Sequence, residues 1–143
     1  MARIAQFGIA VGALGTMLTF MGLFPGVTGL PPASGIGIVQ IVTILIGFVL
    51  LIAGALIYVK FTFYVGKQAN LAQQIGVRLA LTGLLFAIMM GMADIVGFGS
   101  HLRSDGVEPL FGVLQAIGII SSFVIAALGV LIYAISGDLN NNS

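Results

Sequence analysis

The sequence predicts an all-α integral membrane protein with four transmembrane helices, arranged as two tandem, parallel-duplicated helical hairpins. Three observations carry that class. Hydrophobic residues make up 59% of the 143 positions and charged residues 6%, with a mean hydropathy of +1.22, a composition that a water-soluble domain of this size could not carry on its surface. The apolar residues fall into four runs, 4–24, 36–59, 75–97 and 110–135, each long enough for the ~20 helical residues that a ~30 Å hydrocarbon core requires. The second run also occurs twice. Moved along by 75 positions, residues 36–58 lie on residues 111–133 with nine of 23 identical, among them Gln40/Gln115, Phe48/Phe123, Gly54/Gly129 and Tyr58/Tyr133.

The first run carries Gly8, Gly12, Gly15, Thr19 and Gly22, spaced by four, three, four and three. That spacing keeps them on one helical face, where another backbone can approach closely. The third run answers this stripe at an offset of 68 with Gly76, Ala80, Gly83 and Ala87, and Gly91 continues the row one residue later; Gln6/Gln74 and Met21/Met89 also coincide. Repeat one therefore covers about 4–59 and repeat two about 75–135, within a single domain of 1–143. Both hairpins start and end on the same side, which makes the duplication parallel, with a pseudo-twofold axis along the membrane normal, rather than inverted.

A strand reading fails, because the runs are about twice the length of a membrane strand and lack its in-out alternation. The segments between runs are too short for a separate soluble domain. The first connection, 25–35, is uncharged and rich in Pro and Gly, so Pro31 and Pro32 should hold it extended. The second, 60–74, mixes Phe61, Phe63 and Tyr64 with Lys60 and Lys67, the composition of an interfacial belt. The second helix has nothing to break it before Gly66. The third connection, 99–109, holds His101, Arg103, Asp105 and Glu108, and the tail 137–143 is short and polar.

Arg3, Lys60, Lys67 and Arg78 flank the N-terminus and the second connection, while Arg103 alone lies opposite. By the positive-inside rule both termini are expected to be cytoplasmic in a multi-pass topology. The first run is longer than a signal-peptide core and is read as a retained helix.

Chemistry has few places to reside. Asp94 is the one acid within a run, and an ionisable group there is a functional suspect by default; it falls late in the run, near the outer interface, and reads either as a proton or cation ligand or, in preference, as an interfacial carboxylate paired with Arg103 or capped by loop amides. Gln40 and Gln115 sit at equivalent positions about one turn into the second and fourth helices. Their amides can hydrogen-bond across the pseudo-twofold axis, to facing carbonyls, or to a bound polar head group. Thr16, Thr19, Thr43, Ser121 and Ser122 are expected to bond back to their own helices. His101, the single histidine, is a weak candidate for ligating a metal at the membrane surface, so no metal site is expected. Without cysteine, thiolate sites and disulfides are excluded. No hydrolase elbow, zinc motif, phosphate loop or dinucleotide fingerprint occurs.

In architecture the tandem hairpins resemble the larger proteolipid rotor subunits of vacuolar-type ATPases. Those subunits carry a mid-membrane carboxylate, and the second and fourth runs here have none, so the resemblance extends to architecture alone. The sequence reading is therefore a non-enzymatic structural or accessory subunit that packs against lipids and other transmembrane chains or forms a homo-oligomer. Gly8, Gly12, Gly15, Gly22, Gly54, Gly76, Ala80, Gly83 and Gly129 are its helix-packing positions. No cofactor is expected, although the apolar faces leave room for a lipid or pigment. Nucleic acid is excluded as a partner by the absence of a basic patch. The alternative is a small oligomeric transporter or channel whose path is lined by Gln40, Gln115, Thr16 and Thr19.

Overall fold

All four prolines lie outside the apolar runs, so each run can satisfy its backbone internally as an uninterrupted helix. The computed structural model describes residues 2–29, 38–96 and 113–137. These form α1 (Ala2–Leu23), α2 (Ile38–Phe63), α3 (Leu71–Val96) and α4 (Val113–Ser136), with a 3-10 turn at Pro25–Thr28 after α1. All four helices are long and apolar enough to cross a membrane.

The helices pair in sequence order. α1 lies antiparallel on α2, and α3 lies antiparallel on α4; the two hairpins then meet through α2, which touches both α3 and α4. The apolar core sits at that junction, where Ile52 of α2, Ala80 and Leu84 of α3 and Ala126 of α4 are buried together. A second buried cluster joins Ile41 and Leu45 of α2 to Ala87 of α3. α1 stands outside this core, with Gly8, Gly15 and Gly22 as its buried residues.

Two helix limits differ from the hydropathy runs for identifiable reasons. α2 continues through Lys60 to Phe63 because a single lysine in the last turn does not break a helix. The chain turns at Gly66, whose φ of 72° is open to glycine at little cost. α3 begins at Leu71, ahead of the run at 75, because Asn70 and Gln73 cap it reciprocally. The Asn70 side chain accepts from the Gln73 amide at 2.8 Å, and the Gln73 side chain accepts from the Asn70 amide at 3.2 Å. Connection 64–70 therefore brings the C-terminus of α2 to the N-terminus of α3 at one end of the bundle. Arg3, Lys60, Lys67 and Arg78 all lie toward this basic end, and all are exposed.

Candidate functional site

Gly8, Gly12 and Gly15 of α1, and Gly76 and Gly83 of α3, face the partner helix of their own hairpin. A Cβ on Gly8 would lie 2.8 Å from the backbone nitrogen of Tyr58 and 3.0 Å from the carbonyl oxygen of Gly54. A Cβ on Gly76 would lie 2.8 Å from the nitrogen of Tyr133 and 2.7 Å from the carbonyl of Gly129. Two turns further, Gly15 faces Leu51 and Gly47, and Gly83 faces Ala126 and Ser122. Seen from the other helix, Gly54 meets Gly12 and Gly8, and Gly129 meets Ala80 and Gly76. Each of these contacts of the first hairpin has its counterpart in the second at offsets of 68 on one helix and 75 on the other. Both seams are backbone against backbone.

Gln40 and Gln115 take part in the same correspondence. The Gln40 amide donates to the carbonyl of Gly22, across the α1–α2 seam. The Gln115 amide donates to the carbonyl of Met90 at 3.4 Å, across the α3–α4 seam. Each glutamine thus reaches a facing carbonyl in its own hairpin. The hydroxyls of Thr16, Thr19, Thr43 and Ser122 bond to carbonyls four residues back at 2.6–2.9 Å. These two amides and four hydroxyls are thus held against backbone carbonyls.

Between the hairpins the contact is of another kind. Phe48 and Phe123, 75 positions apart, stack on each other with ring centroids 4.3 Å apart and planes at 22°. This pair, and not the glutamines, joins positions 75 apart across the hairpin junction. Gly91 also serves the junction: it lies one turn beyond Ala87, which packs with Ile41 and Leu45 of α2, and it faces the same two residues. The residue equivalent to Gly91 is Leu23. Leu23, Ala116 and Ile120 line an apolar cleft of about 190 Å³ beside Phe48.

The basic end holds polar residues that the sequence reading did not single out. The last four carbonyls of a helix lack intrahelical donors, and three of these in α4 are met from connection 64–70 and its cap. Tyr64 donates its hydroxyl to the carbonyl of Ala134. Asn70 donates to that of Ser136 at 2.7 Å, and Gln73 to that of Tyr133 at 3.3 Å. Tyr64 packs edge-on against Tyr133 at 5.9 Å and lies over Gly137, where a Cβ would collide with its ring. The Asn-x-x-Gln spacing just before an apolar run was the available signal for the cap. Beside this lock, α2, α3, α4 and the connection enclose a cleft of about 700 Å³ with Lys60 and Lys67 among its lining residues.

Asp94 lies in the last turn of α3, and its side chain is outside the described residues. His101, Arg103, Pro31 and Pro32, with most of the outer connections and the tail, also lie outside them. Among the described residues no three His, Cys, Asp or Glu side chains gather as metal ligands would. Comparison of the chain with protein-family models, curated proteins and solved structures finds no match.

Proposed function

We propose that the chain is a multi-pass membrane protein built by tandem duplication of one helical hairpin, and that it serves as a non-catalytic structural or accessory subunit. The duplication is supported by the paired offsets: two seams, two glutamine bonds and the Phe48–Phe123 stack all fall at equivalent positions. Insertion is supported by four helices of sufficient length and apolarity. Large apolar side chains also point outward, a surface suited to lipid tails or other helices and not to water. With Arg3, Lys60, Lys67 and Arg78 toward one end, that end and both termini are assigned to the cytoplasm.

The observation that carries the subunit reading is the condition of α1. Its small face is spent on α2, while Phe7, Leu14, Met17 and Phe20 on its outer faces are half-exposed or more. The polar side chains that a conduit would need are already committed to backbone carbonyls. A photoreactive phenylalanine analogue placed at Phe7 or Met17 in native membranes tests this. Adducts with another transmembrane chain, or with a second copy, are the expected result. Adducts with lipid alone would refute the subunit role. Solute flux in proteoliposomes, abolished by Gln40→Leu with Gln115→Leu, would replace it with the transporter.

A further inference from the structure

We propose that the cleft at the basic end is a binding site for one phosphate-bearing anionic lipid. This deepens the membrane reading and rests on it, since it requires α2 and α3 to span a bilayer. The floor is apolar: Leu56 and Ile57 from the last turns of α2, Val77 from α3, and the ring of Tyr133 from α4. The rim is cationic. Lys60 stands on the final turn of α2, and the turn at Gly66 brings Lys67 and Gln68 to the same cleft from the connection. No carboxylate is among its described lining residues, and the one acid within the described residues, Asp94, is at the far end of α3.

An anionic amphiphile satisfies both parts together. Its phosphate meets two ammonium groups, which a flexible four-carbon stem lets reach headgroup depth, while an acyl chain runs down Leu56, Ile57 and Val77 toward the hydrocarbon. A soluble anion would use the rim and leave the floor uncovered. An acidic protein segment would have to bring apolar side chains to match the floor. The capacity of about 700 Å³ suits a headgroup with the first part of its chains rather than an isolated ion. The pairing of hairpins limits the site to one per chain, because the position equivalent to Lys60 is Ile135. Gln68 and Gln74 add neutral donors at the rim, one N–H of the Gln74 amide being taken by the Ala69 carbonyl at 3.2 Å.

Native mass spectrometry of the full chain in mild detergent, titrated with phosphatidylglycerol and with phosphatidylcholine of the same acyl composition, tests the proposal. The expected result is one phosphatidylglycerol retained per chain in preference to phosphatidylcholine. Lys60→Gln and Lys67→Gln should each weaken retention about fivefold, the effect of one lysine near an anionic headgroup. Arg78→Gln, exposed on α3 and outside the cleft, should leave it unchanged. Equal retention of the two lipids, or equal loss with Arg78→Gln, would overturn the site. Displacement by millimolar inorganic phosphate would convert it to a free-anion site, and capture of a protein without lipid would assign it to a partner. A chain that resists carbonate extraction from membranes yet fails these tests disproves the lipid site alone, whereas a chain released by carbonate disproves insertion as well.

Discussion

Gly12 and Gly54 are adjacent members of the same seam, yet an added methyl should act on them in opposite directions. A Cβ at Gly54 would stand 2.7 Å from both the Gly12 Cα and the Gly8 carbonyl oxygen, and closer still to the Gly12 nitrogen. All three are backbone atoms, so relief requires α1 to move away from α2 by the better part of an ångström. Overpacking of this kind costs about 1–3 kcal/mol. A Cβ at Gly12 would have its nearest neighbour, the Gly54 Cα, at 4.0 Å, an ordinary van der Waals contact. Both substitutions gain the same helix propensity, about 1 kcal/mol for Gly→Ala, so their difference isolates the seam. Gly54→Ala should be less stable than Gly12→Ala by about 1–3 kcal/mol, or roughly 5- to 150-fold in the folded ratio. Reversible unfolding in mixed detergent micelles, followed by fluorescence transfer between probes on α1 and α2, measures this directly. Equal stability of the two variants would refute the backbone-to-backbone seam.

The remaining predictions concern the polar groups and the topology. Gln40→Leu and Gln115→Leu should each cost about 0.6–2 kcal/mol, and because the bonds lie in separate hairpins their effects should add to within about 0.5 kcal/mol; a larger coupling in a double-mutant cycle would show that the amides meet. Tyr64→Phe should cost about 1 kcal/mol and Asn70→Ala about 1–2 kcal/mol, the latter through loss of the α3 cap. Both should raise hydrogen exchange at the C-terminal end of α4 before the rest of the chain; unchanged protection there would show that the carbonyls do not depend on connection 64–70. In the cysteine-free chain, single cysteines replacing Lys67 and Ser104 should label from opposite faces of the membrane, Lys67→Cys from the cytoplasmic one, and labelling from the same face would break the four-span topology.

The existence of four helices was legible because composition and run length depend on the whole chain, and an apolar run of membrane length without proline has few other solutions. The small-residue stripes were legible as faces. Their partners were not, because a stripe records that something approaches closely without saying whether it belongs to the same chain. Here the stripe of α1 is met by Gly47 and Gly54 of α2, so the outer surface left for partners is bulky rather than small. The glutamines illustrate the same limit. Their spacing marked them as equivalent, but whether an amide reaches across the hairpin junction or to the preceding helix depends on rotation about the helix axis. Gly91 depended on that rotation too: one turn beyond Ala87, it faces α2 across the junction. The lock formed by Tyr64, Asn70 and Gln73 escaped because hydropathy gives no weight to polar side chains at a helix end, where unpaired α4 carbonyls make them most useful.

Cross-linking at the hairpin junction tests the duplicated arrangement most directly. The chain has no cysteine, so Phe48→Cys with Phe123→Cys introduces a single pair at the position where the rings stack, and Leu14→Cys with Phe123→Cys provides a control on the outward face of α1. Rapid intramolecular closure of the 48–123 pair by a short bifunctional reagent, with no closure of the 14–123 pair, is the predicted result. Closure of 14–123, or a 48–123 link that forms only between separate chains, would contradict two hairpins joined through equivalent positions on α2 and α4.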